Sequence, residues 1–413
     1  MKKRLDFFID NYILYSVLSQ PILVILQFLM LYVYAIPEDV ATKYRVLLTA
    51  LPLSFAIFLS FKRRPKIFII TYVIAIFFLL CQSFLFPSNI GEIWSSTTRF
   101  LLPIILPSTL CLISIKGSIE DVEQSLLKIS WIIVIMMIYF VFCFVMGRTV
   151  IFDYNMALAY ALLLPAITLY KHKRWYSIIS SVFLLLCMLV FGSRGPLVVA
   201  VLYIIYDLVQ VRKSNVIILM FIFAILIVAL PMLETVLEDF GISSRTLSFL
   251  LSGNIAASEG RDDIYNQVYR LIQDNLLIGV GIFGDRVHLD ELCHNIILEI
   301  IVNYGIVFGI PLIIFISVYL LKIYLTLDKT NKNRFMKYFI ALIVPLFFSD
   351  SYLISIYFGL FWGLVFVLKD TRTKMKSRQL NNLMHCCPEK FYHKVSCLAE
   401  PSSGTSRSTS GLL

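Results

Sequence analysis

The stretch GRDDIYNQVYRLIQDNLLIGVGIFGDRVHLDELCHNIILEIIVNYGIVFG, residues 260–309, is the polar centre of a chain that is otherwise mostly apolar helix. It carries Arg261, Arg270, Arg286 and His294, four groups that are costly near a bilayer and call for a functional explanation. The residues Ile264, Val268, Leu271 and Ile272 recur at helical spacing within it, which predicts an amphipathic helix over about Asp262 to Leu277 lying on the membrane surface. His294-Asn295 precedes a long apolar run, with Glu299 about one turn away, and Asn295 can cap that helix or bind a hydroxyl.

The rest of the chain sets the class. Of 413 residues, 59% are hydrophobic and 15% charged, with a mean hydropathy of +0.85, whereas a soluble domain carries about a quarter charged residues. This is the composition of an all-α polytopic membrane protein. Taking about 20 apolar residues per crossing, about twelve spans are expected, near 12–36, 44–61, 67–86, 100–115, 129–146, 156–170, 176–191, 197–211, 216–233, 296–325, 335–349 and 351–368. Residues 1–233 then hold nine spans, 234–293 form one large extracytoplasmic loop, and 294–370 hold the last three. MKKR precedes a spanning-length segment with no small-residue cleavage site, so that segment reads as the first helix and not as a signal peptide.

Orientation follows from the basic loops. MKKR, KRRPK (62–66), KHKR (171–174), the 212–213 pair and 328–337 fall on one side, which the positive-inside rule assigns to the cytoplasm together with both termini. The 116–128 loop falls there too and reads as a short interfacial helix. Loop topology accounts for most of the net charge of +10, so no nucleic-acid partner is expected. The other side keeps one lysine, Lys43, and otherwise arginine: Arg45, Arg99, Arg148, Arg194, Arg245, Arg261, Arg270 and Arg286. Arginine is the side chain that grips phosphate in a planar fork, although Arg99 and Arg148 stand at span ends where snorkelling explains them.

The tail 371–413 is read as a cytoplasmic, disordered end whose character changes from Ser377; its His385, Cys386, Cys387 and His393 match no standard zinc spacing. Among the other cysteines only Cys293 lies on the outer side, which argues against a structural disulfide there. Gly192-Ser193-Arg194-Gly195-Pro196 is either a tight turn with a headgroup arginine or an anion contact in which flanking glycines let backbone N–H groups approach. Gly279, Gly281 and Gly284 read as a flexible loop, and with no preceding strand the superficial GxGxxG pattern is not a nucleotide site. Gly305 and Gly309 read as permitting close helix packing.

An SRG turn between two spans, a large outer loop opening on Gly260-Arg261, a glycine-rich segment, and His294-Asn295 before a glycine-containing helix together resemble the O-antigen ligase and Wzy-type polymerase superfamily. The chain departs from that pattern in having Tyr265 where tryptophan is frequent and Asp274-Asn275 where proline is frequent. The resemblance implies an undecaprenyl-diphosphate-linked glycan as donor, gripped by Arg194 and Arg261, with His294 assisting attack by an acceptor hydroxyl. Arg270, Arg286 and Asn295 are the further candidate contacts to diphosphate or glycan. No metal and no cofactor is expected, because paired guanidiniums can hold a departing diphosphate electrostatically. The implied activity is a glycosyltransferase of the bacterial inner membrane, acting in lipopolysaccharide or capsule synthesis, with a chain-length regulator as a candidate partner. A polymerase joining lipid-linked repeat units is preferred to a ligase acting on lipid A–core or protein. A flippase is the rival from another class, and it should carry its charges along a central cavity, where few stand here.

Overall fold

The segment Met156–Lys171, MALAYALLLPAITLYK, is apolar all round, and Leu158 to Leu169 are almost all buried. A helix without a polar face must be covered on every side, and this one forms the middle of the bundle. We describe a computed structural model covering residues 2–149, 155–191, 193–211, 261–289 and 292–370. Packed on the central helix are Gln20–Tyr32, Ile119–Val145, Trp175–Phe191, Arg194–Val211 and Lys329–Leu342. The Ser181 hydroxyl donates to the Ala166 carbonyl at 2.8 Å, a polar tie between two apolar helices.

The described residues contain only helices and turns. Five of the helices are long and apolar enough to cross a membrane, or six if the bent pair Arg4–Leu18 and Gln20–Tyr32 counts as one crossing. They are Glu38–Arg63, Pro65–Leu85, Pro87–Ile113, Ile119–Val145 and Ile296–Thr326, with Met156–Lys171, Trp175–Phe191 and the helix over 195–210 as shorter apolar helices. Rows such as Ile70, Val73, Ile74 and Phe77, or Ile314, Phe315, Val318 and Leu325, are exposed on the bundle surface. Apolar faces of this extent are lipid-facing surface, and the chain is a membrane protein.

Several expected boundaries move. The 116–128 segment is not a separate interfacial helix. A capping box made by Ser118 and Asp121 starts one continuous helix that runs from Ile119 to Val145. The span expected over 335–349 is instead the 14-residue Lys329–Leu342 followed by a 3₁₀ turn, Val344–Phe347. That helix is about 21 Å long, short of the roughly 30 Å hydrocarbon thickness. The span expected over 100–115 begins earlier, at Pro87, and passes through a π-helical stretch, Thr97–Ile105, that contains Pro103. The expected span over 216–233, residues 234–260 and 290–291 of the expected loop, and the tail 371–413 lie outside the described residues.

The largest correction concerns 296–325, expected as one span. At Gly305 the backbone leaves helical geometry (φ 64°, ψ −173°). A Cβ placed on Gly309 would sit 3.1 Å from the carbonyl oxygen of Ile300. Residues nine apart on one straight helix would be about 13 Å apart along the axis, so the chain doubles back and the membrane-length part is Ile306–Thr326.

Ion pairs separate two ends of the bundle. At the basic end Arg63 binds Asp6 and Asp10, Lys116 binds Asp6, Lys171 and Lys173 bind Asp207, Arg334 binds Glu120, and Lys337 binds Glu123. Lys337 is 1% exposed and is held by Glu123, which also accepts from the Tyr338 hydroxyl. Removing one partner of a buried pair strands the other. Glu123→Ala is therefore expected to destabilise the protein by about 3–5 kcal/mol. Thermal melting in detergent checks this, with Glu123→Leu combined with Lys337→Met expected to recover most of the loss.

Candidate active site

At the opposite end the glycine-rich loop is clamped, not flexible. Val280 and Gly281 N–H groups donate to the carbonyls of Val302 and Asn303 at 2.9 and 3.0 Å, and those of Ile306 and Val307 donate to Leu276 and Leu277 at 2.9 and 3.2 Å. The loop thus takes over hydrogen bonds that an unbroken helix would have made across Gly305. On its other side Asn89 donates to the Val280 carbonyl at 2.7 Å, and Gln82 accepts from Ile282 N–H at 3.2 Å. A Cβ on Gly279 would lie 2.4 Å from the Val302 carbonyl oxygen, so glycine is required there by close backbone approach.

This clamp aims a short helix, Gly284–Leu289, whose Asp285 is fully buried. Its neighbour Arg286 donates through Nη1 to Glu92 Oε1 at 3.2 Å and Ser96 Oγ at 2.9 Å, and its guanidinium lies 4.7 Å from the Phe283 ring centre. The Nε and Nη2 atoms of Arg286 are buried and have no hydrogen-bond partner. These two nitrogens share one edge of the guanidinium plane, the edge that binds two oxygens of one anion.

Besides Glu92, three acids stand around Arg286. Glu299 is 1% exposed, accepts from the Ser351 hydroxyl, and accepts from Tyr352 N–H at 3.3 Å. Both its oxygens are thereby committed to the 351–352 turn. The carboxyl nearer in effect to His294 is Asp350. Burial pushes the Asp350 pKa up, against the Ser355 hydroxyl, the Ser351 N–H and the charges of Arg286 and His294. Burial likewise raises Asp285, opposed by Arg286, and neither Asp285 oxygen has a hydrogen-bond partner of normal geometry. Both shifts favour the neutral acid, which leaves Glu92 as the ion-pair partner of Arg286.

Backbone strain collects here. Five described non-glycine residues have positive φ, and Phe283, His294 and Asp350 are three of them. Such conformations persist where surrounding structure enforces them, and they cluster at functional sites. Asn295 caps the next helix, its Oδ1 accepting from Ile297 and Leu298 N–H at 3.0 and 3.3 Å.

Of the other expected residues, Arg194 begins the helix Arg194–Val211 and Arg261 begins Arg261–Asp274. Their side chains, with Gly192 and Gly260, lie outside the described residues. Gly195 stands 3.5 Å, measured from a built Cβ, from the Tyr160 hydroxyl. The Tyr160 ring packs 6.5 Å from Tyr357, which is electrostatically coupled to Asp350. The SRG turn and His294 thus share one end of the bundle. The amphipathic helix is present as Arg261–Asp274, but its apolar face packs on protein: Val268 is fully buried with Val280, Cys293 and Val302. Arg270 stands exposed on that helix, away from Val268. Glu92, Ser96, Asp285 and Asp350 were not singled out by sequence reasoning. The one available signal was Ser349-Asp350-Ser351 between two apolar segments. Among the described residues no His, Cys, Asp and Glu group is arranged to hold a metal ion.

Residues 179–316 match the family model described as O-antigen ligase. The matched segment contains Arg194, Arg261, Arg286 and His294, and it supports the resemblance to the O-antigen ligase and Wzy-type superfamily read from the sequence. It ends before Asp350 and begins after Glu92, so the O-antigen ligase signature covers one side of the cluster. No curated protein and no solved structure matches the chain.

Proposed function

We propose that the chain is a membrane glycosyltransferase that moves a glycan from an undecaprenyl-diphosphate carrier to an acceptor hydroxyl, on the outer face of a bacterial inner membrane. The observation that carries this reading is the pair of buried, unpartnered nitrogens of Arg286, Nε and Nη2, in the cluster that includes strained His294, inside a segment of O-antigen ligase type. A departing diphosphate needs preorganised positive groups where its charge develops. Arg286 supplies one, and Arg194 and Arg261, at the starts of their helices, are the others. His294 takes the proton as the acceptor oxygen bonds to the anomeric carbon and the carbon–oxygen bond to diphosphate breaks. With guanidiniums on the leaving group the reaction is metal-independent and inverting.

The acceptor in this reading is a second lipid-linked repeat unit, making the protein an O-antigen or capsule polymerase. The second reading is a ligase acting on lipid A–core, favoured by the description of the matching family. An in vitro assay with undecaprenyl-diphosphate repeat units in EDTA tests both. A ladder of longer lipid-linked glycans is expected, lost in Arg194→Ala, Arg261→Ala and His294→Ala. Product formed only when lipid A–core is supplied would transfer the reading to the ligase, and dependence on added metal would overturn the mechanism.

A further inference from the structure

The basic end holds a cavity that the transfer chemistry does not use. It measures about 510 Å³ and opens between Ile119–Val145, Met156–Lys171, Arg194–Val211 and the first turns of Lys329–Leu342. That volume is in the range of small-molecule sites. Four cations, Lys171, Lys329, Arg334 and Lys337, line it against one carboxylate, Glu123. Three of the four are held by acids: Lys171 by Asp207, Arg334 by Glu120 and Lys337 by Glu123. Lys329 has no ion pair among the described residues.

A second observation is independent of charge. Thr168 is 4% exposed and lines the cavity, and its Oγ1 is buried without a hydrogen-bond partner. A hydroxyl left unsatisfied at that depth costs free energy unless something in the cavity accepts or donates to it. Asn333, also in the lining, accepts the Tyr206 hydroxyl on its Oδ1 at 3.5 Å, which leaves its N–H groups as donors. The N-terminus of Lys329–Leu342 is already capped by Asp328, so the anion preference rests on side chains and not on the helix dipole.

We propose that this cavity binds a phosphate-bearing ligand, with Lys329 as the free cation and Thr168 as the buried hydrogen-bonding group. A phosphate's negative charge and its several acceptor oxygens match one unpaired ammonium within a net-positive lining plus hydroxyl and amide donors. The site is distinct from that of Arg286 and His294. Thr168 lies near the end of the central helix that carries Lys171, whereas Met156 at the other end accepts from the Ser349 hydroxyl at 3.3 Å. The ligand is either a soluble phosphate ester or the headgroup of an anionic phospholipid.

The experiment uses full-length Arg286→Ala protein as parent, so that outer diphosphate contacts are reduced. In phosphatidylcholine nanodiscs the parent, with Lys329→Gln or Thr168→Val added, is titrated calorimetrically with inorganic pyrophosphate. In nanodiscs containing phosphatidylglycerol, native mass spectrometry counts retained anionic lipid. Lys329 is exposed, and Thr168→Val deletes an unsatisfied hydroxyl, so both variants are expected to melt at the parent's temperature or above. Pyrophosphate binding weakened about tenfold or more by each substitution supports the site with a soluble ligand. Unchanged pyrophosphate binding with phosphatidylglycerol lost from both variants supports it with a headgroup. If neither readout moves in Lys329→Gln, the proposal fails.

Discussion

Arg286→Ala is expected to lower the rate of glycan transfer by about 10²–10³, the usual effect of deleting one preorganised electrostatic donor. The residue is well placed to show whether this cluster is catalytic, because its supports are separable from its use. Glu92, Ser96 and Phe283 hold Nη1 and the guanidinium face, while Nε and Nη2 are buried without a hydrogen-bond partner. Arg286→Lys keeps the charge and loses the fork, and it is expected to resemble the alanine variant more than the parent. Initial rates on a diphosphate-linked donor, with melting temperature as the control for folding, decide the point. A wild-type rate in a folded Arg286→Ala protein would remove this residue from the mechanism.

Gly305→Ala is expected to cost about 2–6 kcal/mol, the sum of backbone strain and overpacking. The φ and ψ of Gly305 fall in a region essentially reserved for glycine. A Cβ there would sit 2.3 Å from the Leu277 carbonyl oxygen. Against a typical total stability of about 5–15 kcal/mol, this predicts poor recovery of monodisperse protein and a large fall in melting temperature. Gly309→Ala, whose Cβ would meet the Ile300 carbonyl at 3.1 Å, serves as the milder comparison. A Gly305→Ala protein that melts like the parent would show that the doubling back at this residue is not required.

The sequence made the helical class and the family resemblance legible because both rest on local signals: apolar run length, basic loops, and the SRG and His-Asn motifs. The amphipathic spacing of Ile264, Val268, Leu271 and Ile272 gave a real helix. It could not say whether that face meets lipid or protein, since either surface accepts the same side chains. Helix ends failed where a cap or break outweighed hydropathy, as at Ser118 and Gly305. The site was half legible. Arg286 and His294 lie in the one polar stretch, but Glu92, Ser96 and Asp350 reach the cluster only through tertiary contacts across roughly 190 and 50 residues of chain. Glu299, five residues after His294 in sequence, is engaged by Ser351 instead.

The clamp between 276–281 and 302–307 also bears on how such a chain can diverge. Gly279 and Gly305 each occupy space that the other's neighbourhood needs: a Cβ on Gly279 would come within 2.5 Å of Gly305 N, and one on Gly305 within 2.6 Å of Gly279 N. A side chain at either position would therefore push the other's backbone away, so the interlock requires glycine at both.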